Sequence, residues 1–143
     1  MVLKSYSPKN VICTNDEGPI QHWDELTVEY EEDRWDFSAA ATGEATRTRN
    51  ESKLGTITLK LPQTSTGNSE LDHLTEAHDR VIVGPIPETT ALTVKDQWGK
   101  SLHYMAEATL IKKPSCNYAK DPGDREWVFK GELTNHIVRG KNT

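Results

Sequence analysis

The sequence predicts a mainly β fold: an antiparallel β-barrel or sandwich with one flanking α-helix, occupying residues 1–143 as a single domain. Three observations carry this. Several segments alternate apolar and polar side chains with the period of two that a half-buried sheet imposes. Clusters of turn-forming residues separate them. Only one stretch, Thr66 to Arg80, is patterned as a helix. An apolar content of 34% and a mean hydropathy of -0.71 leave a thin core for 143 residues, which points to a sheet-built shape or to stability borrowed from partners.

The elements follow in order. "NVICT" (Asn10 to Thr14) is a β-branched run, and "NDEGP" (Asn15 to Pro19) is a turn that reverses it. "ELTVEYEE" (Glu25 to Glu32) alternates Leu26, Val28 and Tyr30 against Thr27, Glu29 and Glu31, a strand with one buried face. "DRWDFSAAATG" (Asp33 to Gly43) ends in small residues and reads as a loop. From Leu54 to Leu61 the alternation returns, with Ile57, Leu59 and Leu61 on one side and Thr56, Thr58 and Lys60 on the other; the ten residues before it, Glu44 to Lys53, carry no large apolar side chain. Residues 33–53 are therefore expected to protrude as a loop or hairpin. In the helix, Asn68 or Ser69 is placed to cap, Glu70 and Asp72 suit the positive start, Arg80 suits the end, and Leu71, Leu74 and Ala77 form a narrow apolar stripe. The two prolines of "VIVGPIPE" predict an extended connector. "TALTVKD" and "SLHYMAEATLI" flank the turn "QWGK" as a hairpin. "KKPSCNYAKDPGD" is a polar loop, and "REWVFKGELTNHIV" is the last strand, with Trp127, Phe129, Gly131 and Leu133 on one face.

Alternation assigns Glu29, Glu31, Thr56, Thr58, Lys60, Glu107, Thr109, Glu126, Lys130, Glu132 and Thr134 to the side away from the core. That face is acidic and rich in threonine. Pattern alone fits a plain solvated sheet face better than a functional one.

Composition and motifs argue against several function classes. The formal net charge of -5, from 17 basic and 22 acidic side chains, does not suit a protein that neutralises phosphate backbones. The aromatics are not interleaved with a basic stripe. None of the five histidines stands in a ligand spacing, and His73 and His78 are turned roughly 140° apart on the helix. No nucleotide-binding loop or nucleophile elbow occurs, and no carboxylate pair stands out for acid and base roles, so neither an enzyme nor a cofactor is expected. Cys13 and Cys116 belong to no cluster and read as free thiols used in packing. Residues 1–8 lack a signal-like apolar run and no window is apolar enough to span a membrane, so synthesis in the cytosol is expected.

The opening "MVLKSYSPKNVICT", the segment "TRTRNESKLGTITLKLPQTS", and the later "LIKKP" (Leu110 to Pro114) with "DREW" (Asp124 to Trp127) carry a family likeness. In that order, over nearly the whole chain, they resemble the tail tube protein of contractile-tailed (myovirus-type) bacteriophages and related contractile injection systems.

The resemblance implies a structural subunit. Hexameric rings would stack into a hollow tube inside a contractile sheath, with strands of all subunits joined in one continuous inner β-barrel. The implied partners are further copies of the chain and the sheath, baseplate and tail-terminator proteins. DNA would pass through the lumen without specific binding. The implied location is the host cytoplasm during assembly and then the virion tail. Within this picture Glu29, Glu31, Thr56, Thr58, Lys60, Glu107, Thr109, Glu126 and Glu132 face the lumen, where like charge keeps DNA from sticking. Arg34, Trp35, Phe37, Glu44, Arg47, Arg49, Glu51 and Lys53 become the ring-stacking residues, hydrated before assembly and bonded to the next ring afterwards. The residues alone also admit a monomeric β-sandwich binding module for carbohydrate or protein, with Trp23, Trp35 and Trp98 as stacking aromatics.

Overall fold

The computed structural model describes residues 3, 6–15, 18–20, 22–80 and 90–140, without the side chains of residues 74 and 77–80. Among these the chain runs β1 (Val11–Asn15), β2 (Gly18–Ile20), β3 (Glu25–Tyr30), β4 (Trp35–Ala39), β5 (Ala45–Arg49), β6 (Leu54–Pro62), α1 (Gly67–Arg80), β7 (Thr90–Asp96), β8 (Ser101–Leu110) and β9 (Asp124–Ile137). Seven strands form one antiparallel sheet in the order β2-β1-β7-β8-β9-β6-β3, and β4 and β5 form a separate two-stranded ribbon.

β9 is the spine of the sheet. Its first part pairs with β6, from Pro62↔Asp124 to Leu54↔Glu132, and its last part pairs with β8, from Leu110↔Phe129 to Leu102↔Ile137. Alternation along β6 and β9 buries Ile57, Leu59, Leu61, Trp127, Phe129 and Leu133, as the sequence predicts. Leu92 and Val94 of β7, Met105 and Ala108 of β8, and Cys13 of β1 complete the same layer.

One sheet can bury a face this fully only by curling over itself. Val11 of β1, Val94 of β7 and His103 of β8 share a cleft with Leu26 and Val28 of β3, although β3 ends the sheet on the far side. The result is a half-barrel, the open form of the barrel-or-sandwich choice that the sequence leaves. α1 covers one end of it. Leu71 is buried there, and Asn68 accepts a 2.9 Å hydrogen bond from the Trp127 indole N–H while donating to the Pro62 carbonyl at 2.8 Å.

The curl needs room at one place in particular. Gly55 and Gly131 are cross-strand partners. A Cβ on Gly131 would stand 2.5 Å from the Glu107 carbonyl oxygen, and one on Gly55 would stand 2.9 Å from the Glu29 carbonyl oxygen and run into Leu133. Beside them β8 bulges. Thr90 pairs with Ala108 and Leu92 with Met105, so Ala106 and Glu107 are both pushed to the surface while their neighbours on either side stay buried.

Several expectations need correction. Asp33 to Gly43 is not all loop, because Trp35–Ala39 is a strand paired with β5. Trp35 and Phe37 alternate with Asp36 and Ser38, a period of two that the following small residues mask. The helix starts at Gly67, before the predicted caps; Ser65 Oγ accepts from the Gly67 N–H at 3.2 Å, and Asn68 turns inward to Trp127. Cys13 is buried, with its thiol pushed up to about 12 by burial, but Cys116 is exposed, so the packing role applies to Cys13 alone. All of the predicted proline-rich connector, and the side chains of Leu74, Ala77 and His78, lie outside the described residues. No described helix is long and apolar enough to cross a membrane.

Candidate functional site

The residues singled out by the sequence fall on two surfaces. The first is the face of β3, β6 and β9 opposite the core. Antiparallel register sets its side chains in cross-strand rows. Glu25, Lys60 and Glu126 form one row; Glu29, Thr56, Lys130 and Thr109 form another; and Glu132 stands opposite Leu54. Glu107 is exposed on the adjoining bulge of β8. Glu31, just past the end of β3, reaches back over the sheet. One of its carboxylate oxygens accepts a 3.1 Å hydrogen bond from the Thr56 hydroxyl and meets Lys130 Nζ at 3.0 Å.

Both lysines of this face are thereby engaged, since Lys60 Nζ stands 3.5 Å from Glu25. Among the described residues Glu29, Glu107, Glu126 and Glu132 have no cationic partner, so the face presents carboxylates outward and holds its cations close. Asp24 and Asp124 extend the acidity at its end, where a hydrogen bond to Asp124 raises the Asp24 carboxyl above its usual range.

The second surface is the β4–β5 ribbon. Trp35 pairs with Arg49 and Phe37 with Arg47, which places these four side chains on one face, while Asp36, Ser38, Thr46 and Thr48 occupy the other. The Arg47 guanidinium lies 4.8 Å and that of Arg49 5.9 Å from the Trp35 ring centre, so the indole carries two stacked cations. Arg49 also bonds Glu51 at 3.1 Å. Gly43, at φ +91, allows the tight turn, closed by an Ala40 N–H bond to the Glu44 carbonyl at 2.8 Å. At the root, Asn50 donates to Glu32, and its backbone N–H reaches the Arg34 carbonyl at 2.8 Å. The Lys53 carbonyl accepts from Leu133, which ties the ribbon to the sheet. Every residue of both strands is exposed, Phe37 to 76%.

The structure also joins two residues that sequence reasoning leaves apart. His103 and His136 are cross-strand partners with Nδ1 atoms 2.7 Å apart. Strict alternation from Leu133 would send His136 to the outer face. A register shift in β9 between Leu133 and Asn135 returns it to the inner one. No local pattern announces such a shift.

Comparison with solved structures finds the same fold in contractile machines. A chain of the PVC extracellular contractile injection system, from its extended sheath–tube complex, is 12% identical, with 90% of this chain and 88% of that one matched at a TM-score of 0.56. A chain from the extended PVC sheath/tube terminator is 13% identical over 92% and 96% of the two chains, also at 0.56. One from the tube-terminating cap of the anti-feeding prophage is 9% identical over 93% and 91%, again at 0.56. None of the curated proteins compared is similar in sequence. Residues 15–137 match the family model described as the bacteriophage PhiTE tail tube protein, and the chain therefore belongs to that family, as a structural subunit of a tail tube.

Proposed function

We propose that this subunit forms hexameric rings that stack through the β4–β5 ribbon into a tube within a contractile sheath, and that the acidic face of β3, β6 and β9 lines its lumen. The observation that carries the stacking role is the ribbon itself. A two-stranded ribbon with every residue exposed contributes almost nothing to its own subunit's core. An exposed Phe37 beside a doubly stacked Trp35 is what an interface anchor looks like before its partner arrives.

The lumen assignment is supported by the charge arrangement. Phosphates moving past the face would meet Glu29, Glu107, Glu126 and Glu132, while Lys60 and Lys130 stay with their carboxylate partners. Like charge keeps DNA moving and unbound. In this reading the role is structural rather than catalytic. The sheath, tail terminator and baseplate are the other partners, and assembly in the host cytoplasm precedes residence in the virion tail.

Negative-stain electron microscopy and light scattering of the purified chain test the proposal, with and without residues 36–52. Rings or rods are expected from the full chain, and a folded subunit that does not polymerise from the deletion. Normal tubes from the deletion would end the stacking role. With tubes in hand, Glu29→Lys together with Glu107→Lys is expected to make the lumen retain DNA in a salt-dependent way.

A further inference from the structure

We propose that His103 and His136 form an acid-labile clasp that holds the neighbouring ends of β8 and β9, and Tyr30 of β3 against them, together near neutral pH and loosens in mild acid. The geometry requires a shared proton. At an Nδ1 to Nδ1 distance of 2.7 Å one nitrogen must carry the hydrogen and the other must offer its lone pair. One ring is therefore the Nδ1–H tautomer and the other is not. Once both rings are imidazolium, both Nδ1 atoms carry hydrogens, and the contact becomes a repulsion between two cations.

The pair is placed where that change matters. His103 and His136 link β8 to the end of β9, and Tyr30 of β3 meets the His136 ring edge-on at 4.7 Å. Among the described residues β3 pairs in the sheet only with β6, so this aromatic contact ties the sheet's last strand directly to the end of β9. Beyond β9, the Ser101 hydroxyl accepts from the Arg139 N–H at 2.9 Å and donates to the Arg139 carbonyl at 2.8 Å, which anchors the segment that follows His136.

The charged groups nearby are few. Asp24, Glu25 and Asp96 line the same cleft as His103, beside Tyr6 and Ser101, but no described carboxylate is in ion-pair contact with either imidazole. Burial holds His103 below its ordinary value, helped by the charge of His136, and burial lowers His136 as well. In the unfolded chain both rings protonate near the usual value of about 6.5. Below that pH the unfolded chain takes up protons that the folded one excludes. The clasp's stability is thus complete above about pH 6.5 and falls as the pH drops toward the lowered folded values.

Thermal unfolding of the full chain from pH 8 to pH 5, in EDTA so that no metal bridges the rings, reads this directly. The native chain is expected to lose several degrees of Tm between pH 7 and pH 5, and His136→Asn and His103→Asn to lose clearly less. Equal losses in all three would overturn the clasp. If the variants do not fold, nitrogen-15 NMR of the unaltered chain decides. One Nδ1–H tautomer and two protonation midpoints below the ordinary value are expected. Two Nε2–H tautomers, or midpoints at the ordinary value, would refute it.

Discussion

The β6–β9 pair and the β4–β5 ribbon are both antiparallel pairs with side chains alternating between two faces, yet they differ in what the faces meet. In β6 every second residue from Ile57 to Leu61 is fully buried. In β4 and β5 nothing is buried, and the ribbon is held by its backbone ladder, the Trp35 stack and the Asn50 contacts at its root. An exposed cation–π contact stabilises by about 0.5–1 kcal/mol, far less than a buried core layer. Regular pairing alone therefore does not reveal where a subunit keeps its stability. The sheet's side chains build the subunit's core, and the ribbon's take no part in it.

The comparison breaks first if the core is less cooperative than its burial implies. Phe129, buried against the Ile57 and Leu110 positions that flank it in register, is the largest fully enclosed side chain. Phe129→Ala is expected to lose about 3–5 kcal/mol in urea unfolding, much of a domain's stability. Gly131→Ala comes next. The atom its Cβ would meet at 2.5 Å is a backbone carbonyl on the β8 bulge, which cannot swing aside as a side chain would, so a loss of about 2–3 kcal/mol is expected by the same assay. A neutral Gly131→Ala would show that the bulge can move and that the curl is set elsewhere.

How far the sequence discloses each region follows from the same contrast. Where alternation has a core to report on, it is reliable: β3, β6 and the first part of β9 stand on the faces that Leu26, Ile57 and Trp127 predict. It fails where register shifts. The bulge at Ala106 and Glu107 and the shift that turns His136 inward are set by packing among strands distant in sequence. Gly131 alone hints at the crowding. The ribbon is partly legible, since Glu44 to Lys53 declares itself by lacking large apolar residues, while β4 is obscured because the Ala39 to Ala41 run breaks its short period. Asn68 carries helix-cap chemistry, and only the approach of Trp127 explains its inward turn.

Asn68 supplies the next smaller effect. Asn68→Ala leaves the buried Trp127 N–H without its acceptor, and the expected loss is about 1–2 kcal/mol, with tryptophan fluorescence shifting as α1 loosens over that end of the sheet. A loss this size would mark α1 as part of the same folding unit as the core. An unaltered midpoint would mean that the helix can release while the sheet stays intact.

The smallest stability effect belongs to the ribbon and sharpens the contrast most. Trp35→Ala removes the platform for Arg47 and Arg49 but uncovers no core, so the unfolding free energy should fall by no more than about 1 kcal/mol. Ring stacking should nonetheless be lost or strongly weakened, because Trp35 holds both guanidinium groups on the face that also carries Phe37. Phe37→Ser should behave alike, since its ring is already 76% exposed and its removal takes little from the free subunit. Urea unfolding and electron microscopy of the same preparations separate the two readouts. If Trp35→Ala instead destabilises the subunit as much as Asn68→Ala does, the ribbon belongs to the subunit's own cooperative unit. Its exposed aromatic face would then no longer be evidence of a partner.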